Sequence, residues 1–194
     1  MDKSAVSILV VTHNHQDHIP KLLNSLQEFG YTNVYFCDAA SSDNTLHILK
    51  SSPYSDNVLV KEKLESFSKN NNDLIRYFGL ASKYFLLLNP DIYFDTDFIK
   101  VLYDGMEADP AIGIGAPLLL NPDKTLQVSW KEFPSVFQAF KKRLGLTTIR
   151  NEKQAGVHKL DWCLGACLMI RNDLLKENNT LLDERYRLYC EDAD

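Results

Sequence analysis

The sequence predicts an α/β fold, a three-layer sandwich around a mostly parallel central sheet. Two observations predict it. Short apolar runs alternate four times with amphipathic segments over residues 1–97, the pattern of parallel strands joined by crossover helices. The runs themselves, "VSILVVT" and "YFLLL" among them, are apolar at nearly every position, as a strand covered on both faces requires.

The elements follow in order. Val6 to Thr12 is the first strand. Ile19, Leu22, Leu23, Leu26 and Phe29 mark one face of a helix, with Pro20 in its first turn and Gly30 at its C-terminal end. "NVYFCD" is the second strand and ends at Asp38. "SSDNTLHILKSS" supplies cap residues and then a short helix. "NVLVKE" is the third strand. A helix over 71–81 carries Leu74, Ile75, Phe78 and Leu80, and "YFLLL" is the fourth strand. The second half reads differently. Phe98 to Glu107 is a helix. "IGIGAPLLL", the turn "NPDK" and "TLQVSW" read as a hairpin. After a polar stretch, "KLDWCLGACLMIRND" reads as strand, tight glycine turn, strand. There is no internal repeat or low-complexity tract, so residues 1–194 are expected to form one domain with halves at 1–97 and 98–194.

Sheets of this kind bind ligands outside the carboxyl ends of their strands. Three of the four parallel strands end in polar residues: Thr12-His13-Asn14, Asp38, and Asn89-Pro90-Asp91. The chain contains its own control, because the same tripeptide recurs at Asn121-Pro122-Asp123 inside the hairpin. There it is a β-turn signal. The first copy draws its weight from its place after a buried strand, although a plain turn remains an alternative for Asp91, as it does for Asp38.

Composition bounds the function. A net charge of −5 argues against a nucleic-acid binder with a broad basic face. A phosphorylated small molecule is still admissible, since a divalent cation can supply positive charge. No apolar run approaches the ~18 residues of a membrane span. The N-terminus lacks a cleavage site of small residues, and the 4 cysteines form no CxxC pair. Reduced thiols in a cytoplasmic protein are the expectation.

Other features carry two readings each. "HNHQDH" gathers His13, His15, Asp17 and His18 but lacks the helical spacing of zinc enzymes. Trp162 is a core residue or a site residue. Gly165 serves a turn or lets a substrate approach closely. "FPSVFQAFKKRLGL" is a solvated helix packed on the core or a peripheral membrane contact.

Taken together, "VSILVVTHN", "CDAASSDNT", "YFLLLNPDIYF", "IGIGAPLLLNPDKTLQ", "LDWCLGACLMIR" and "DERYRLYCEDAD" resemble, in that order, family 2 glycosyltransferases of the GT-A fold, in their rhamnosyltransferase-like branch. The resemblance implies an inverting transfer of a sugar from a nucleotide-diphosphate donor to an acceptor hydroxyl, with Mg²⁺ or Mn²⁺. It implies a UDP- or dTDP-sugar, dTDP-rhamnose first, and a glycan or lipid-linked acceptor in cell-surface polysaccharide synthesis. By position, Thr12, His13, Asn14, Asp38, Ser42, Asp43 and Asn89 would bind the nucleotide. Asn89 and Asp91 stand at the Asp-x-Asp metal motif, Asp91 as metal ligand, and Glu191 and Asp192 at the catalytic Glu-Asp pair, Asp192 as base. Ser66 and Asn70 stand where the family has glycines. The chain stops at Asp194, within the acidic motif, so a truncated chain is expected, with an inactive nucleotide-sugar-binding remnant as the alternative. A nucleotidyltransferase is a more distant rival by fold analogy.

Overall fold

The structure, a computed structural model, describes residues 1–131, 156–160, 162–175 and 180–185. Its chain falls into two units. The larger is built on Met1–Pro117 and the described residues from Gly165 onward, the smaller on the described residues of Leu118–Leu164.

In the larger unit, β1 (Val6–Thr12), β2 (Val34–Ala39), β3 (Val58–Lys61) and β4 (Tyr84–Leu88) are the four apolar runs. Helices α1 (Ile19–Glu28), α2 (Thr45–Lys50) and α3 (Phe67–Phe78) connect them, and α4 (Phe98–Ala108) follows β4. The six-stranded sheet also takes in β5 (Ile114–Gly115). The chain then makes β6 (Leu119–Leu120), β7 (Leu126–Gln127), β8 (Trp130–Lys131) and β9 (Trp162–Cys163), all in the smaller unit. It returns to the sheet as β10 (Cys167–Arg171). The sheet order is β3-β2-β1-β4-β10-β5. The pairs among β1 to β4 are parallel, and β10 is antiparallel to both β4 and β5.

The core lies on both faces of this sheet. Val6, Val10, Phe36, Phe85 and Leu86 are fully buried, because neighbouring strand residues face opposite layers. Tyr35 meets Phe78 of α3 with ring centroids 5.0 Å apart. Its neighbour Phe36 meets Tyr54, just beyond α2, at 5.8 Å. So α3 covers one face and the α2 connection the other, which gives the three layers.

Three expectations shift. The third helix begins at Phe67 rather than residue 71, capped by Ser66, whose hydroxyl accepts from Lys69 N–H. Its first turns read as polar, "SKNNND", yet Ser68, Asn70, Asn71 and Asn72 are buried. The strand over "IGIGAPLLL" is split around Pro117, so β5 pairs with β10 while β6 joins β7 in a separate hairpin, since proline cannot donate to a ladder. Finally, β9 and β10 do not pair with each other: β9 pairs with β8, and β10 with β4 and β5.

An ion-pair network holds the start of α3. Lys61 on β3 pairs with Glu65 and Asp73, Lys69 reaches Asp73 at 3.0 Å, and Arg76 bridges Asp73 to Glu184, which it meets at 2.8 Å. Burial alone would raise the Asp73 carboxyl, but hydrogen bonds from Lys61, Arg76 and Lys69 hold it down at about 2. A folded value below the ordinary 3.8 means that folding favours the ionised form. That contribution, about 2 kcal/mol, is present above the unfolded-state value and is lost as pH falls through the folded one. Asp73→Asn is therefore expected to cost about 2 kcal/mol at neutral pH. It should also flatten the acid limb of stability between about pH 4 and pH 2, read from urea midpoints. A variant whose acid limb runs parallel to the native one contradicts this account.

Candidate functional site

The sheet order reverses direction at β1, which sits between β2 and β4. Connections leave such a point in opposite senses and open a crevice beyond the strand ends. Residues 12–16, 38–45 and 89–92 lie at this end.

Two of these segments are stitched together. Thr12 and Asp38 are register partners on β1 and β2, and the buried Thr12 hydroxyl donates to Asp38 Oδ1 at 3.2 Å. Asp38 is 1% exposed. Its Oδ1 also accepts from the Ser41 hydroxyl at 2.6 Å, and its Oδ2 from Ser41 N–H at 3.2 Å. Asp38 thus ties its own turn closed, an arrangement that suits a short acceptor side chain. Asn14 Oδ1 accepts from Ser42 N–H at 2.8 Å and from Asp43 N–H at 3.3 Å. Asp43 in turn accepts from Gln16 N–H at 3.1 Å and Thr45 N–H at 2.9 Å. Burial acts to raise the Asp43 carboxyl, but the hydrogen bonds from Thr45 and Gln16 outweigh it and hold it below the usual range. Asn14 and Ala40 have positive φ, 57° and 59°. Asparagine tolerates that region; alanine does so at a cost of about 1–2 kcal/mol, and the hydrogen bonds on both sides of Ala40 sustain it.

The two loop histidines are opposite tautomers. His13 Nδ1 faces the Ala39 carbonyl oxygen at 2.7 Å. A carbonyl only accepts, so Nδ1 carries the hydrogen, and Nε2 is left to accept from the Asn14 amide at 3.3 Å. In His15 the backbone N–H of His13 donates to Nδ1 at 3.0 Å. These contacts leave His13 and His15 no common open position for one ion. Among the described residues, no three His, Cys, Asp or Glu side chains gather as a metal cage.

The third segment is the first Asn-Pro-Asp. Asn89 N–H donates to Ala166 O at 2.8 Å, and Asn89 O accepts from Ile92 N–H at 3.2 Å. The tripeptide is thus a β-turn with proline at its second position. The second copy is a turn too, with Lys124 N–H to Asn121 O at 2.8 Å. The two differ in their acids. Asp123 Oδ1 accepts from Thr125 N–H at 3.0 Å, and the Thr125 hydrogen bonds hold its carboxyl below the usual range. Asp91 is exposed and takes no hydrogen bond from the described residues. It is near enough to His15 for the imidazole to feel its charge. One unspent carboxylate at the strand end fits a divalent cation whose remaining ligands are phosphate oxygens and water; it does not fit an all-protein cage.

Thr12, His13, Asn14, Asp38, Ser42, Asp43, Asn89 and Asp91 therefore share one edge of the larger unit. Gly165 belongs to the same unit, beside the Ala166 that bonds Asn89. Trp162 lies on β9 of the smaller unit and is half-buried. Glu191, Asp192 and the segment 133–146 lie outside the described residues.

Sequence reasoning missed Ser41 and Thr45, which hold the loops, and Asn72. The serine- and threonine-rich "AASSDNT" is the signal for the first two. Asn72 is fully buried. Its amide donates to Leu182 O at 2.8 Å and Glu184 Oε1 at 3.0 Å, while its oxygen accepts from the N–H groups of Leu181 and Leu182 at 2.9 and 3.1 Å. It clamps the segment that leads toward "EDAD". Asn72→Leu keeps the volume but strands buried backbone groups, so a loss of about 3 kcal/mol is expected in chemical denaturation. An unchanged midpoint argues against the clamp.

This mostly parallel α/β sheet with a reversal point has the GT-A arrangement of the solved structures named below. The chain belongs to the family described as glycosyl transferase family 2, whose model matches residues 7–178. It is 26% identical to rhamnosyltransferase WbbL of Escherichia coli (strain K12) over 200 residues, spanning 97% of this chain and 74% of that one. It is 26% identical over 119 residues to the N-acetylglucosaminyl-diphospho-decaprenol L-rhamnosyltransferase of Mycobacterium tuberculosis, spanning 56% of this chain and 38% of that one. Among solved structures, S. aureus TarS 1–349 superposes with a TM-score of 0.57 at 19% identity, covering 97% of this chain and 52% of that one. Mannosyltransferase PcManGT from Pyrobaculum calidifontis, in complex with GDP-Man and Mn²⁺, superposes at 0.60 and 16% identity, covering 88% of this chain and 45% of that one. The chain thus spans about half the length of these solved relatives. Among the described residues no helix is long and apolar enough to cross a membrane.

Proposed function

We propose that this chain is an inverting, metal-dependent glycosyltransferase. It moves a sugar from a UDP- or dTDP-sugar, dTDP-rhamnose first, to a hydroxyl of a glycan or lipid-linked acceptor in cell-surface polysaccharide synthesis. The observation that carries the reading is Asp91: an exposed carboxylate without hydrogen bonds from the described residues, at the end of a buried parallel strand. The names of the relatives add rhamnose transfer, a lipid diphosphate acceptor, and bound GDP-Man with Mn²⁺.

In this reading the whole chain is one GT-A domain, working at the cytoplasmic face of the membrane. Residues 1–97 hold the nucleotide sugar and 98–194 the acceptor. Thr12, His13, Asn14, Asp38, Ser42 and Asp43 form the base and ribose side, with loop backbone and side-chain groups already fixed by their mutual hydrogen bonds. Asp91 is the protein ligand to Mg²⁺ or Mn²⁺, with Asn89 holding the turn that presents it. When bound, the cation offsets the charge that develops on the leaving nucleoside diphosphate. Asp192 takes the proton of the attacking hydroxyl, with Glu191 beside it. One base and one displacement at the anomeric carbon invert its configuration without a second nucleophilic carboxylate. Trp162 and Gly165 belong to the acceptor side.

The test is nucleotide release from a panel of UDP- and dTDP-sugars with a lipid-linked glycan acceptor and Mn²⁺ or Mg²⁺. Release from dTDP-rhamnose above the other donors supports the specific reading. Donor binding without release from any member of the panel overturns turnover by this chain.

A further inference from the structure

His15 falls outside every role assigned above. It sits half-buried on the loop between β1 and α1, its backbone N–H held by Thr45 Oγ1 at 2.8 Å. Because Nδ1 accepts from the His13 backbone at 3.0 Å, the neutral ring carries its hydrogen on Nε2. No described residue accepts from that Nε2. This is the reverse of a metal-binding imidazole, which offers a bare nitrogen to the ion and orients itself through its other N–H. The neutral ring thus carries a donor that no described residue uses.

We propose that His15 donates its Nε2–H to the diphosphate of the donor nucleotide beside Asp91, an inference that rests on the nucleotide-sugar reading above. The loops after β1 and β4 emerge from paired strands, which brings His15 and Asp91 to one edge. The nearby charges the imidazole feels include the carboxylates of Asp91 and Asp43. A bare anion near these carboxylates is repelled, so the donor gains its acceptor when a divalent cation holds a phosphate there. A neutral imidazole adds direction rather than charge. The hydrogen bond is thus made only in the cation-loaded complex, and it reads the diphosphate rather than the base.

Calorimetric titration of UDP and dTDP into the native chain and into His15→Ala, His15→Phe and His15→Gln, each with and without Mn²⁺, tests this. Phenylalanine keeps the ring without the donor, and glutamine keeps an amide donor at the reach of Nε2. With Mn²⁺, the Ala and Phe variants are expected to bind about 10-fold more weakly, the worth of one hydrogen bond to a charged group. The Gln variant should recover most of that loss. Without Mn²⁺ all four should bind alike. Unchanged affinity of His15→Phe with Mn²⁺, or equal losses with and without it, overturns the proposal while leaving the donor reading in place. A native chain that binds neither nucleotide, or binds them without regard to Mn²⁺, instead removes the donor reading and this inference with it. Circular-dichroism melts of the variants separate a lost contact from a lost fold.

Discussion

Replacing Asp192 with asparagine is expected to lower sugar transfer by about 100- to 10,000-fold, the range of positioned general-base catalysis, while donor affinity stays unchanged. The acceptor hydroxyl is a poor nucleophile until its proton leaves. An amide has nearly the shape of the carboxylate and can still hydrogen-bond the hydroxyl, but it cannot take the proton. The loss should therefore fall on kcat rather than on donor binding. Glu191→Gln removes the neighbouring charge only, and a smaller loss is expected. Nucleotide release at saturating donor and acceptor, paired with calorimetric affinity for the nucleoside diphosphate, separates these effects. Equal turnover by the native chain and Asp192→Asn removes Asp192 as the base. A matched fall in donor affinity moves it from catalysis to binding.

The sheet was legible because burial on both faces leaves a mark in composition. "VSILVVT", "NVYFCD", "NVLVKE" and "YFLLL" each became a strand in the expected order. Parallel pairing followed from the intervening helices. The start of α3 was not legible, because Asn70, Asn71 and Asn72 look like surface residues and are buried. The Asn72 amide satisfies itself on Leu181, Leu182 and Glu184, a partnership with a segment over a hundred positions away that no local pattern announces. In the second half the hairpin around "NPDK" was legible and formed as β6 with β7, but the partners of β5, β9 and β10 were not, for a related reason. Two-residue pairs such as β8 with β9 depend on which chain lies alongside, and periodicity needs longer runs to speak. At the rim, polar strand ends marked the residues that share one end of the sheet. They did not tell that Asp38 is buried and ties its own turn, or that His13 and His15 carry their hydrogens on opposite nitrogens. Those properties arise only when two loops distant in sequence share hydrogen bonds.

Asp91→Asn is expected to abolish the Mn²⁺-dependent part of UDP or dTDP binding, a loss of about 100-fold, and to lower transfer at least as much. On the proposal that Asp91 is the protein ligand to a cation otherwise held by phosphate and water, the substitution removes that ligand. Asparagine keeps the turn, since the closing hydrogen bond runs between the backbones of Asn89 and Ile92, so the fold should be untouched. The chain supplies its own control in Asp123, which occupies the same tripeptide in the same kind of turn. Its carboxylate is already engaged by Thr125. Asp123→Asn should leave metal-dependent binding and transfer at native levels and affect only the local turn. The pair isolates what the unspent charge at the end of β4 does from what an Asn-Pro-Asp turn does by itself. If both variants bind nucleotide with native metal dependence, the cation is held elsewhere. If both fail alike, the turn rather than the charge is what matters, and the metal role of Asp91 is withdrawn.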